Sequence, residues 1–272
     1  MNALIATVIV IGDRARVDEA SGALDALGDR GAVRRVLISE GTKTKASADE
    51  KETTIRIDGL SPQYVDNAVA WLRLSSLPAV VWWRGGPLDA LERLAHLADR
   101  LVLDTDPPDE MWTRAPALFD ETALTDLRWS ALTCWRSALA HLVDLPQVHE
   151  RLSSLRRLEI EAPDRASARL FAGWLNSSLT RITTLDVRIA DARARGRAPL
   201  TRVRLSGEGV GVTLEVQSDR GCLSAMIDGA SGARMVPLGD GSLASRFAAD
   251  IGVRTRDAAF ERALVAAMEM GA

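Results

Sequence analysis

The stretch Leu4–Ile11 constrains this chain most. It is an unbroken apolar run rich in β-branched residues, the pattern of a strand covered on both faces. Such a strand belongs in the middle of a parallel sheet with helices on either side. The following residues keep the rhythm. Gly12-Asp13 ends the run, and Val17, Ala20, Leu24 and Leu27 fall at helical spacing. Val33–Ser39 reads as a second strand, and Thr54–Asp58 as a short third one. Gly41–Thr53 is polar, carries all three lysines and reads as a mobile loop. Ser61-Pro62 is a helix start with Ser as the cap and Pro at the first helical position. Val65, Ala68, Val69 and Leu72 supply that helix's apolar stripe. Pro78–Trp83 and Leu101–Leu103 read as further strands, with a helix through Leu88, Leu91, Leu94 and Ala98 between them. Trp129–Val143 reads as one helix.

The texture changes after Pro146. Leu155–Glu161 is a strand, and Arg165–Leu179 a helix with Phe171, Trp174, Leu175 and Leu179 inward. Leu185–Ile189, Thr201–Leu205, Val210–Val216, Cys222–Ile227 and Ala233–Pro237 alternate strictly, most of them separated by glycine turns. They read as an antiparallel meander. A last helix shows Phe260, Leu264, Ala267 and Met268 on one face. The expected fold is α/β. An N-terminal domain, 1–150, holds a mostly parallel sheet with flanking helices. A C-terminal α+β domain, 151–272, holds an antiparallel sheet.

Composition narrows the function. The formal net charge is −3, so no basic field points to nucleic acid or anionic lipid. The apolar runs are too short to span a bilayer, and no basic region precedes the first one. Two cysteines cannot form a disulfide framework. A cytoplasmic protein is expected, binding neither nucleic acid nor membrane; its oligomeric state is not legible.

Catalytic signatures are thin. The turn after the first strand, Gly12-Asp13-Arg14, lacks the further glycines of a dinucleotide fingerprint. Gly229-Ala-Ser231-Gly-Ala233 falls one glycine short of a nucleophile elbow and sits between alternating strands, where a hairpin turn is expected. His96, His141 and His149 are not spaced as metal ligands. No cofactor and no metal are therefore expected. Asp104, Asp106, Asp109 and Glu110 cluster after a strand. They read as a solvated turn with helix-cap acids, or alternatively as the acidic site of a sugar-phosphate or nucleotide-binding enzyme. Cys134 reads as a small buried hydrophobe.

The tryptophans stand apart: seven, against one tyrosine. Trp82-Trp83-Arg84 ends a strand, and the two indoles must point to opposite faces. Trp129 and Trp135-Arg136 lie on the helix that follows. Trp and Arg are the residues most enriched in binding hot spots, while an indole equally fills a core. Trp83, Arg84, Trp129, Trp135 and Arg136 are the expected partner-binding residues.

Leu77-Pro-Ala-Val-Val-Trp-Trp83, Asp126-Leu-Arg-Trp129-Ser-Ala-Leu132-Thr-Cys-Trp135-Arg136 and Ala172-Gly-Trp174-Leu175 resemble the hallmark segments of the OpcA family of glucose-6-phosphate dehydrogenase assembly proteins. Ser242–Asp250 and Asp257–Leu264 resemble its closing helices, so the resemblance runs the length of the chain. It implies a protein that is not an enzyme. Such a protein binds glucose-6-phosphate dehydrogenase, promotes its active oligomer and supports NADPH supply through the oxidative pentose phosphate pathway. Two departures stand out. Family members usually carry extra residues ahead of the first strand. They also commonly read Thr-Pro-Trp-Arg where this chain has Thr133-Cys134-Trp135-Arg136.

Overall fold

The computed structural model describes residues 4–28, 33–43, 47–51, 53–74, 76–217, 221–253 and 255–270. Along the first part of the chain come β1 (Ala6–Gly12), α1 (Arg14–Ala26), β2 (Val33–Lys43), β3 (Ser47–Lys51), β4 (Thr54–Leu60), α2 (Val65–Leu72) and β5 (Ala79–Trp83). Then follow α3 (Leu88–Ala95), β6 (Arg100–Leu103), α4 (Asp109–Arg114), β7 (Ala123–Asp126) and α5 (Leu127–Ala131). The second part has α6 (Thr133–Val143), α7 (Pro146–His149), β8 (Leu155–Ala162), α8 (Arg165–Leu179) and β9 (Asp186–Asp191). It ends with β10 (Arg202–Gly207), β11 (Val210–Gln217), β12 (Cys222–Ile227), β13 (Arg234–Pro237), α9 (Leu243–Ile251) and α10 (Ala258–Glu269).

The chain forms two compact units. One takes Met1–Ser130 and Ser242–Asp257; the other takes Ala131–Gly241 and Ala258–Ala272. This differs from a single cut near residue 150. The division falls inside the segment Trp129–Val143, which is not one helix: α5 and α6 are separated at Leu132, whose ψ of −4° leaves the helical range. The segment 242–257 returns to the first unit because Phe247 and Ile251 complete an apolar cluster there with Val8, Val10, Leu24 and Trp82.

The first unit is built on a seven-stranded sheet of order β3-β4-β2-β1-β5-β6-β7. Every neighbouring pair is parallel except β3 with β4. β1 lies between β2 and β5 and all seven of its residues are buried, as its continuous apolar run requires. Gly41–Thr53 departs from the expected loop. β2 continues to Lys43, and β3 pairs with β4 from Ser47↔Asp58 to Lys51↔Thr54. A polar edge strand needs only backbone partners, so hydropathy does not announce it. Positions 44–46 and 52 lie outside the described residues. β7 was also invisible in the sequence, being four residues at the other edge. Ser61 makes no side-chain cap; Pro62–Tyr64 is a 3-10 turn leading into α2.

The second unit holds a six-stranded sheet of order β13-β12-β11-β10-β8-β9. From β8 and β10 through β13 the neighbours are antiparallel. β9, expected as part of the meander, instead pairs parallel with β8. The reason is α8, a fifteen-residue crossover between them, the length a parallel return needs. Asp164 caps that helix, accepting from the Ala166 and Ser167 amides. α10 packs along α8, and the two helices come close at Gly173. A Cβ there would stand 2.2 Å from the Ala263 carbonyl oxygen and 2.8 Å from the Ala267 nitrogen. Gly173→Ala is expected to cost about 2 kcal/mol through forced separation of the two helices. Urea unfolding measures this, and a midpoint equal to the parent's would refute the tight contact.

Candidate functional site

The residues flagged in the sequence end up inside the molecule. Trp82 and Trp83 point to opposite faces of the parallel sheet, and both are fully buried. Helices cover each face, so neither indole is left over for a partner. Arg84 is 6% exposed, Trp129 4% and Trp135 0%. Arg136 is half-buried, with one Nη donating to Thr133 Oγ1 at 3.1 Å. Four of the five expected contact residues thus belong to the core: indole and guanidinium bring large area to bury, and Arg84 and Trp129 also find acceptors there.

Those acceptors are the acids after the strands. At the carboxyl ends of β5 and β6, Arg84 Nε donates to Asp104 at 2.7 Å and Trp82 Nε1 donates to the same carboxylate at 3.2 Å. Arg84 also reaches Glu19 at 2.8 Å and the Arg16 carbonyl at 2.6 Å, both on α1. Arg16 returns a bond to the Arg84 carbonyl. The Arg84 guanidinium lies 5.3 Å from the Trp82 ring, whose other neighbour is the stacked Phe247 ring at 4.0 Å. Asp126, fully buried at the end of β7, accepts Trp112 Nε1 at 2.7 Å and caps α5 through the Arg128 amide at 2.8 Å. Burial pushes its carboxyl up, opposed by the Arg128 charge and the Trp112 bond. Trp129 Nε1 donates to Asp257 at 2.8 Å. Arg100 and Ser130 share Asp250, each at 2.5 Å.

The acidic cluster after β6 therefore has structural employment. Asp104 holds Arg84 and Trp82, and Asp106 sits 3.5 Å from Arg128. Among the described residues no group of three or more His, Cys, Asp or Glu is placed to hold a metal. Cys134 donates to the Pro237 carbonyl at 3.3 Å, and burial pushes its thiol up, away from the thiolate that redox chemistry uses.

Sequence reasoning passed over one aromatic. Trp71, on α2, is 86% exposed, while the other six indoles are buried or half-buried. Tyr64 and Leu74 are exposed on the same segment; Gln63, Asn67 and Ala70 are exposed and uncharged, and Arg73 is the exposed charge beside Leu74. The signal was present: Trp71 is out of phase with the stripe Val65, Val69 and Leu72, all of them buried.

Glu40, near the carboxyl end of β2, is poorly solvated. Its Oε1 is buried with no hydrogen-bond partner among the described residues. A Cβ on Gly86 would stand 2.1 Å from it. Burial, and secondarily the nearby Asp13, push its carboxyl up from 4.5. The folded chain therefore holds this proton more tightly than the unfolded one. Its contribution to stability is present below pH 4.5 and is lost as pH rises through the elevated value. Glu40→Gln is expected to raise the melting temperature at pH 7 and leave it unchanged below pH 4; an equal shift at both would refute the burial cost. Arg84→Ala is expected to cost about 3 kcal/mol, since it strips the partner from a half-buried carboxylate and from α1. A loss below about 1 kcal/mol in urea unfolding would show that the Arg84 cluster is peripheral.

Among the described residues no helix is long and apolar enough to cross a membrane. In comparisons, the chain is similar to a protein of Synechocystis described as "Putative OxPP cycle protein OpcA", 26% identical over 135 residues, covering 46% of this chain and 28% of that one. A protein of the same description from Synechococcus elongatus is 27% identical over 135 residues, covering 46% of this chain and 30% of that one. The match thus spans less than a third of the length of these relatives. Among solved structures, an aspartate semialdehyde dehydrogenase II from Vibrio cholerae aligns over 75% of this chain and 73% of its own. At 10% identity and a TM-score of 0.36, that likeness bears no weight. Residues 122–264 match the OpcA family model, which describes the C-terminal domain of a glucose-6-phosphate dehydrogenase subunit. That is more than half of the chain, and the protein belongs to this family.

Proposed function

We propose that this chain is a non-catalytic cytoplasmic subunit that binds glucose-6-phosphate dehydrogenase and favours its active oligomer, supporting NADPH supply. The observation that carries the reading is the family match over residues 122–264. The described chemistry supports it. Arg84, Trp82, Trp112 and Trp129 are tied to carboxylates within the fold. A rigid scaffold of that kind suits recognition. Activation then follows from differential affinity: a subunit that binds the active form more tightly shifts the population toward it. Coupling of about 1–3 kcal/mol gives a 5- to 150-fold effect.

The proposed contact moves from the buried indoles to the outer face of α2. Trp71 is the anchor, with Tyr64 and Leu74 beside it. An exposed indole flanked by uncharged residues has the composition of an interface centre. This face lies outside the family-matched stretch. Arg136, half-buried, remains a separate candidate contact.

Co-purification with the host's glucose-6-phosphate dehydrogenase, and its NADPH production with and without this chain, test the reading. Stable association and raised activity are expected; an indifferent enzyme overturns it. Trp71→Ala is expected to weaken association about thirtyfold or more, as truncation of a hot spot does, with stability changed by less than about 0.5 kcal/mol. Wild-type association by the variant would move the contact elsewhere.

A further inference from the structure

The second unit carries an open depression of about 710 Å³ at one end of its sheet, with Ser153, Arg156, Arg157, Asp186, Ser206 and Glu208 in its lining. Its walls are the start of β8, the start of β9 and the end of β10. The register of β10 against β8 shifts between Ser206 and Gly207, the kind of bulge that redirects side chains at a functional rim. Gly207 closes the floor: a Cβ there would stand 2.1 Å from the Ser154 carbonyl oxygen.

Two arginines line this space in different states. Arg156 is anchored, one Nη donating to the Ser153 carbonyl at 2.6 Å, the Leu155 carbonyl at 2.8 Å and Thr183 Oγ1. The Arg157 side chain makes no hydrogen bond or ion pair among the described residues. Nearby, Arg151 is held by the Gly209 carbonyl at 2.9 Å. Two acids share the rim, Asp186, 3.3 Å from Arg188, and Glu208. The lining is balanced, two arginines against two acids, and Arg188 beside Asp186 offsets one of the acids.

We propose that this depression is a binding site for a small phosphate monoester carrying hydroxyl groups. The free fork of Arg157 matches a phosphate in geometry and charge. The Ser153 and Ser206 hydroxyls complete its donors. Asp186 and Glu208 accept from ligand hydroxyls, and they penalise an anion that brings no donors. The depression is open and wide enough to admit a ligand larger than a bare phosphate. The site lies within the family-matched stretch. It does not depend on the proposed dehydrogenase partner, because binding is read on this chain alone.

The test is titration calorimetry of the full chain at low salt with three probes: glucose 6-phosphate, inorganic phosphate and glucose. Saturable binding of glucose 6-phosphate is expected, with weaker phosphate binding and none by glucose. Arg157→Ala is expected to weaken glucose 6-phosphate binding about tenfold or more, and Arg157→Lys to restore part of the loss. Arg181→Ala, an exposed arginine outside the depression, is expected to bind like the parent. Absence of saturable glucose 6-phosphate binding overturns the proposal, as does equal binding by Arg157→Ala. Phosphate binding as tight as glucose 6-phosphate overturns the role given to the two acids. Arg157 is exposed, and a thermal melt confirms that its variants are folded.

Discussion

The first unit depends on one shared carboxylate. Asp104 accepts from Arg84 and Trp82 at once, and through Arg84 it reaches α1. Removing water from a guanidinium is costly, and only several simultaneous bonds offset that cost. Arg84 has them: two carboxylates, a backbone carbonyl and an aromatic face. The same carboxylate lets Trp82 bury its ring against Phe247 without stranding its N–H. The strand ends, the helix over them and the returning segment 242–257 are thereby set by one charge cluster.

The same device recurs. Trp112 is held by Asp126 and Trp129 by Asp257, each a charge-assisted bond from an indole to a buried or half-buried acid. The solution is incomplete, because Trp83 and Trp135 bury their Nε1 atoms with no acceptor among the described residues. A chain with seven indoles thus uses several of its acids as internal acceptors. This explains why a row of carboxylates at the carboxyl edge of a parallel sheet, a usual place for chemistry, serves packing here.

Function then moves to what the core does not consume. Trp71 stands outside the core on an uncharged helix face. Arg157, its side chain without a partner among the described residues, stands in a concave, serine-lined end of the second sheet. The first is fitted to another polypeptide and the second to a small anion. They lie on different units and are tested by different readouts, so either can stand if the other falls.

Periodicity was enough to place most of the fold. The apolar run of β1, the helical stripes of α1 and α8 and the alternation of β10 to β13 are local consequences of which faces must be dry. Elements whose stability is not local escaped. β3 is polar and exists through backbone pairing with β4; β7 is too short to show a period; β9 is parallel because α8 carries the chain across. The tryptophans fared in reverse. Sequence could pick out Trp83, Arg84, Trp129, Trp135 and Arg136 as unusual, yet most of them are core and the exposed indole is Trp71. Residue type sets how much area and how many donors a side chain brings. Whether a partner chain or the protein's own carboxylates receive them is settled only when distant segments meet, as Asp104 meets Arg84 and Asp257 meets Trp129.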